Sequence, residues 1–166
     1  MQRRPVFYVS SAAWGFYPLF RDFMALRDIP SGPMFLKNYG LDRNKWFAGS
    51  HSAHKAHVIE RLLEFYPRMR LILVGDSGQD DARIYGDIVA RHPGRILAVW
   101  IRDVSAEPGR RAEVAGLIDE LEAAGVHAAF GPDLIGAAQQ AAAQGWMPRE
   151  AVGPAVRAVD AAADAR

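Results

Sequence analysis

Apolar residues fall along this chain in short continuous runs, separated by longer stretches in which they recur at helical spacing. Pro5–Val9, Met34–Leu36, Leu71–Val74, Ile96–Ile101 and Val126–Phe130 are the short runs, and each reads as a buried strand. Between them, Phe16, Leu19, Phe20, Phe23 and Met24 mark a helix in which Pro18 is tolerable only in the first turn. Val58, Ile59, Leu62, Leu63 and Tyr66 form the buried face of a second helix, capped by Ser52 and stopped by Pro67. A third helix is expected over 80–92, ending at Pro93-Gly94. A fourth spans 112–124, with Val114, Leu117, Ile118 and Leu121 on one face and Gly125 as its terminator. Alanine-rich helical sequence follows, and the end from Gly153 is expected to be a flexible tail.

Strands that alternate with helices argue an α/β fold with a parallel sheet and right-handed crossovers, here one domain over residues 1–152. In such sheets ligands bind beyond the carboxyl ends of the strands. That edge collects three polar segments: Ser10-Ser11, His54-Lys55 and Gly75-Asp76-Ser77-Gly78-Gln79-Asp80-Asp81. A further polar stretch, Tyr39 to Ser52, contains Trp46 and Phe47 and is long enough for a functional loop.

Composition narrows the classes. The 166 residues carry a net charge of +1, with basic residues scattered, so no nucleic-acid footprint is present; Arg3-Arg4 and Arg110-Arg111 read as solvated pairs. The chain has no cysteine, which excludes disulfides, thiolate metal sites and a Cys nucleophile and suits a cytoplasmic protein. No apolar run approaches the ~20 residues of a transmembrane helix.

The polar segments have a chemical reading. Asp76 ends a strand of Leu, Ile, Leu and Val, and Asp80 and Asp81 follow in the first helical turn. Hard carboxylate oxygens at this spacing suit Mg²⁺, which takes one or two of them together with water and phosphate oxygens; Asp80 and Asp81 also suit the helix dipole alone. Lys55 lies four residues before Ile59 and shares its stripe, a place for a cation over the strand ends or for a snorkelling surface lysine. Ser10 and Ser11 offer hydroxyls and amides to an anion at a helix mouth, or a helix cap. His51, His54 and His57 are spaced by three and lack the i, i+4 arrangement of a helical zinc pair. Ser77 within Gly75-Asp76-Ser77-Gly78 echoes serine-hydrolase strings without a G-x-S-x-G elbow.

Taken together, the strings Phe7-Tyr8-Val9-Ser10-Ser11, Tyr17-Pro18-Leu19, His54-Lys55, Ile72-Leu73-Val74-Gly75-Asp76-Ser77-Gly78, Asp81, Ile84-Tyr85, His92-Pro93-Gly94-Arg95-Ile96 and Ile101-Arg102-Asp103-Val104 resemble one family. It is the catalytic domain of the actin-patch-protein type of phosphatidate phosphatases, within the haloacid-dehalogenase-like phosphohydrolases. The resemblance runs from about Phe7 to Val104. It implies a three-layer, doubly wound parallel sheet and Mg²⁺-dependent hydrolysis of a phosphomonoester, phosphatidate at a membrane surface among them. It implies that Ser10 is the hydroxyl of the family's second motif, Lys55 the lysine of the third, and Asp76 and Asp81 the acids of the fourth, with Asp80 an additional acid. Ser11, His54, Ser77 and Gly78 are then expected to contact substrate.

In that family a D-x-D-x-T segment on the central strand supplies the nucleophilic Asp, which forms an aspartyl-phosphate that water hydrolyses. No D-x-D-x-T occurs in these residues. The expectation is therefore a sheet lacking its central first strand, with that segment upstream of Met1, and negligible phosphatase activity from the chain as it stands. The alternative is a non-catalytic module that binds phosphate or Mg²⁺, or that takes the strand from a partner.

Overall fold

The computed structural model describes residues 4–38 and 51–164, with the backbone alone at 51, 52, 160 and 162–164. Residues 39–50 of the loop reading, Trp46 and Phe47 among them, lie outside the described residues, whereas His51 and Ser52 already belong to a helix, so Ser52 stands inside it rather than before it as a cap. The chain divides into two compact units, Met1–Tyr66 and Pro67–Arg166.

In the first unit, β1 (Tyr8–Ala13) runs parallel to β2 (Met34–Lys37), pairing Tyr8 with Met34 and Val9 with Phe35. The register shifts between Val9 and Ala13, so the Ser10-Ser11 pair sits on an irregular stretch of strand. The sequence reading ends this strand at Val9. The chain instead stays extended through Ala13, because hydroxyl residues are as compatible with an edge ladder as with a turn. A 3₁₀ turn, Trp14–Phe16, leads into α1 (Tyr17–Leu26), with Pro18 in its first turn as expected. The apolar spacing of α1 does not translate into burial: Phe16, Leu19, Phe23 and Leu26 are exposed. α2 (His51–Phe65) packs on β1 through Val58, Ile59, Leu62 and Leu63, all buried. Tyr66, expected on the same face, lies past the helix end and is half-exposed, its ring against Phe7.

The second unit holds a parallel three-stranded sheet in the order β3 (Leu71–Asp76), β4 (Ile96–Arg102), β5 (His127–Gly131). α3 (Asp81–Arg91) connects β3 to β4 and packs on both, and α4 (Pro108–Ala123) connects β4 to β5 and packs on β5 and α3. Ile88, Ala98, Val99 and Ile101 are fully buried at the centre, with Val114 and Leu121 closing it from α4. Gly125 ends α4 with φ at 77°, a left-handed conformation that costs a residue without Cβ little. α5 (Ile135–Ala143) lies against β5, and α6 (Val152–Asp164) against α5. A regular helix thus stands where the sequence reading places a flexible tail from 153; its alanine content and its contact with α5 favour helix.

The α/β class and the parallel strands agree with the sequence reading, and both units place their strands beside helices. Among the described residues, β1 pairs with β2 alone, and β3 with β4 alone.

Candidate functional site

The second unit gathers five of the expected residues into one turn. β3 runs to Asp76, and α3 starts at Asp81, leaving four residues to cross from strand to helix. Asp76 Oδ1 accepts the Gly78 amide at 2.9 Å, closing an Asx turn. Its Oδ2 has no hydrogen-bond partner among the described residues. Asp81 is 3% exposed, and its Oδ2 accepts the backbone N–H of Asp76 at 3.3 Å. The Asp81 carboxylate therefore holds the backbone of Asp76, whose own carboxylate turns to Gly78. Glycine is required beside them: a Cβ on Gly75 would lie 2.8 Å from Asp81 Cβ and 2.9 Å from its Cγ. At Gly78 a Cβ would stand 3.1 Å from both Asp76 Oδ1 and Val104 Cγ2.

Tyr85, one turn into α3, donates its hydroxyl to the Val74 carbonyl at 3.0 Å. Burial, then the charges of Asp81 and Asp76, push its phenol well above the ordinary value. It stays neutral and keeps the strand end tied to the helix.

Ser77 is not positioned as a substrate contact or a nucleophile. It is 1% exposed, and its Oγ donates to Asp103 Oδ1 at 2.9 Å while accepting the amides of Val104 and Ser105 at 2.9 and 3.0 Å. A hydroxyl with its donor and both lone pairs committed has nothing left for a phosphate. Asp103 in turn accepts from the Ser105 amide at 3.2 Å and from Arg111 Nε at 2.6 Å. Burial raises the Asp103 carboxyl, but the hydrogen bonds from Ser77, Ser105 and Arg111 outweigh it and hold the group below its ordinary value.

Asp80 also departs from expectation. It precedes α3, yet it caps nothing with its side chain. Its carboxylate meets Arg83 Nη2 and Arg110 Nη2, each at 3.3 Å, and is 42% exposed. A carboxylate shared between two guanidiniums is a poor ligand for a hard cation, so Asp80 belongs to a surface ion network rather than to a metal site.

Arg110 and Arg111, read from sequence as a solvated pair, are the residues that sequence reasoning missed. Two cations in the first turn of α4 oppose the helix dipole, and that is the signal that something nearby must offset them. Arg110 donates from Nε to the Ser77 carbonyl at 3.2 Å, and from Nη2 to the Gln79 carbonyl at 2.5 Å. Its Nη1 meets Glu113 at 2.9 Å.

In the first unit, Ser10 and Ser11 lie on β1 and His54 and Lys55 on α2, two elements that pack together. Ser10 Oγ accepts the Ala12 amide at 3.1 Å, a local bond that caps neither following helix and leaves its O–H without a partner among the described residues. Ser11 and Lys55 are half-buried, Lys55 one turn before the buried Ile59. His54 Nε2 stands 3.5 Å from the Phe35 carbonyl, which directs the ring to β2. His57 is exposed.

Among the described residues no three His, Asp or Glu side chains gather into a metal cage. Asp76 and Asp81 fit a looser demand. One offers a carboxylate oxygen with no partner, the other a buried carboxylate beside it, and Gly75 keeps the space that a Cβ would fill. That donor set is of the kind that Mg²⁺ completes with water and phosphate oxygens.

Residues 1–103 match the family model described as the catalytic domain of phosphatidate phosphatase APP1. The chain is 30% identical over 119 residues to phosphatidate phosphatase APP1 of Saccharomyces cerevisiae, a match covering 69% of this chain and 20% of that protein. It is 27% identical over 104 residues to the uncharacterized protein C29B5.04c of Schizosaccharomyces pombe, covering 61% of this chain and 17% of that one. The chain thus spans about a fifth of the length of the curated relatives it matches. No solved structure matches it.

Proposed function

The chain belongs to the family of phosphatidate phosphatase APP1 catalytic domains, and from that premise we propose that it is the metal- and phosphate-holding part of a Mg²⁺-dependent phosphomonoester hydrolase of the phosphatidate phosphatase type. The observation that supports this most is the Asp76 turn. A carboxylate oxygen with no hydrogen-bond partner among the described residues stands at the carboxyl end of a parallel strand, beside a buried second carboxylate whose place is kept by a glycine.

In this reading Asp76 and Asp81 hold Mg²⁺, which when bound would offset the charge of the phosphoryl oxygens. Ser10 donates its O–H to a phosphoryl oxygen, the Ser11 amide adds a second donor, and Lys55 neutralises part of the remaining charge. His54 and Gly78 border the substrate. The substrate is a phosphate monoester, with phosphatidate at a membrane surface the candidate the relatives suggest. Among the described residues no helix is long and apolar enough to cross a membrane. A cytoplasmic setting is part of the same proposal.

The attacking carboxylate is a separate matter. These residues contain no D-x-D-x-T, so the family's aspartyl-phosphate has no counterpart nucleophile within them. We expect residues 1–166 alone to release no phosphate above background from phosphatidate in detergent micelles with Mg²⁺. Turnover comparable to that of an intact relative in the same assay contradicts this. The missing motif also favours a second reading, a module that binds Mg²⁺ or phosphate without turnover, or that gains the strand from a partner. Binding of Mg²⁺ that persists with no phosphate release distinguishes it from a failed site.

A further inference from the structure

We propose that Arg110 is a positioning residue for the carboxylate turn, and that with Asp103 it fixes the Asp76–Asp81 segment from the β4–α4 connection. The inference rests on the reading of Asp76 and Asp81 as the Mg²⁺ site.

The turn between β3 and α3 is short and polar, and it makes few bonds of its own. The bond from the Gly78 amide to Asp76 closes its first half. Beyond the bonds from α3, in which Asp81 holds the Asp76 amide and Arg83 meets Asp80, a set of anchors comes from the β4–α4 side. The Ser77 amide donates to the Arg102 carbonyl at 2.9 Å, and its hydroxyl is seated in the nest made by Asp103, Val104 and Ser105. The Ser77 and Gln79 carbonyls are both taken by Arg110, which also reaches Asp80. Arg111, the next residue, pins Asp103 itself. Every residue from Ser77 to Asp80 except Gly78 is therefore tied to β4, α4 or the segment joining them.

Arginine is suited to this task. The two carbonyls belong to residues two apart and are met by two different nitrogens of one planar fork, a geometry a lysine ammonium does not reproduce. Glu113, one turn further along α4, holds the third nitrogen of the fork. A turn held this way presents Asp76 in one orientation, which is what ligand-supporting residues do for a metal site; their loss typically lowers metal affinity 10–100-fold.

The test uses the whole chain, with Arg110→Ala and Arg110→Lys compared with Leu121→Ala, a cavity variant in the core of the same helix. Two quantities are read well below each variant's melting temperature: amide hydrogen exchange across Asp76–Asp81, and Mn²⁺ affinity by electron paramagnetic resonance with Mg²⁺ competition. The expectation is that both Arg110 variants speed exchange in this segment and weaken Mn²⁺ by about 10-fold or more, the lysine failing to rescue, while Leu121→Ala does neither. Unchanged exchange in Arg110→Ala overturns the proposal. So does faster exchange with unchanged Mn²⁺ affinity, or an equal effect from Leu121→Ala. If the wild-type chain takes up no Mn²⁺ while Arg110→Ala still speeds exchange, the clamp stands and the reading of Asp76 and Asp81 as a metal site is what fails.

Discussion

The Ser77 hydroxyl and the Asp103 carboxylate, 26 residues apart in the chain, meet at 2.9 Å and join the turn after β3 to the turn after β4. Neither is exposed to an incoming substrate: Ser77 is 1% exposed and the Asp103 side chain 7%. The pair is internal bracing for the neighbouring Asp76. Ser77→Ala would leave the Val104 amide without its acceptor and the Ser105 amide with Asp103 alone, at a cost of about 1–3 kcal/mol. Urea denaturation measures it; a loss below ~0.5 kcal/mol would show that the bracing is unimportant.

Asp103 also sets an acid limit. Its carboxyl sits below the ordinary value of 3.8 in the folded chain, so the unfolded chain binds this proton first as pH falls. The stability it contributes is fully present above pH 3.8 and is lost as pH drops past that value toward the lower folded one. Asp103→Asn should be less stable than wild type near neutrality and show a shallower loss below pH 4. Denaturation midpoints from pH 3 to 7 measure this, and parallel acid limbs in the two proteins contradict it.

Gly75 is where the backbone and a carboxylate compete for one space. A Cβ there would collide with Asp81 Cβ and Cγ at 2.8 and 2.9 Å. Gly75→Ala should destabilise by about 1–3 kcal/mol and move Asp81 off the Asp76 amide. The readouts are thermal denaturation and the chemical shift of the Asp76 amide; a variant that matches wild type in both would show that the turn is not tightly packed.

Asp80 offers a contrast with its neighbours. Its partners are the exposed Arg83 and the partly buried Arg110, and ion pairs open to solvent contribute up to ~1 kcal/mol. Asp80→Asn should therefore change Mn²⁺ affinity less than about fivefold. A loss as large as that of Asp76→Asn would restore Asp80 as a ligand.

These contrasts show what the sequence makes legible. The apolar runs of β3 and β4 and the helical stripe of α2 are local patterns, and burial follows them at Val58, Ile59, Leu62 and Leu63. The Asp76–Asp81 turn is legible because a strand end, a glycine and the first turn of a helix lie within a few residues. The commitments of Ser77 and Arg110 are not local. Their partners lie 26 to 33 residues away, and no periodicity encodes which polar groups a crossover brings together. The end of β1 is hidden for a related reason: Ser10-Ser11 has the composition of a turn, and the ladder to β2 that resumes at Ala13 with Lys37 is not a local pattern. The apolar spacing of α1 is equally visible in sequence, but spacing alone does not supply the surface to bury it.

The most direct test of the account is a Mg²⁺ titration of the isotope-labelled chain, followed by amide NMR, beside Asp76→Asn. Mg²⁺-dependent shifts centred on Asp76 to Asp81 are expected in the wild type, and their loss in Asp76→Asn with the fold retained. Shifts that survive in Asp76→Asn, or a wild-type turn that does not respond to Mg²⁺ at all, would contradict it.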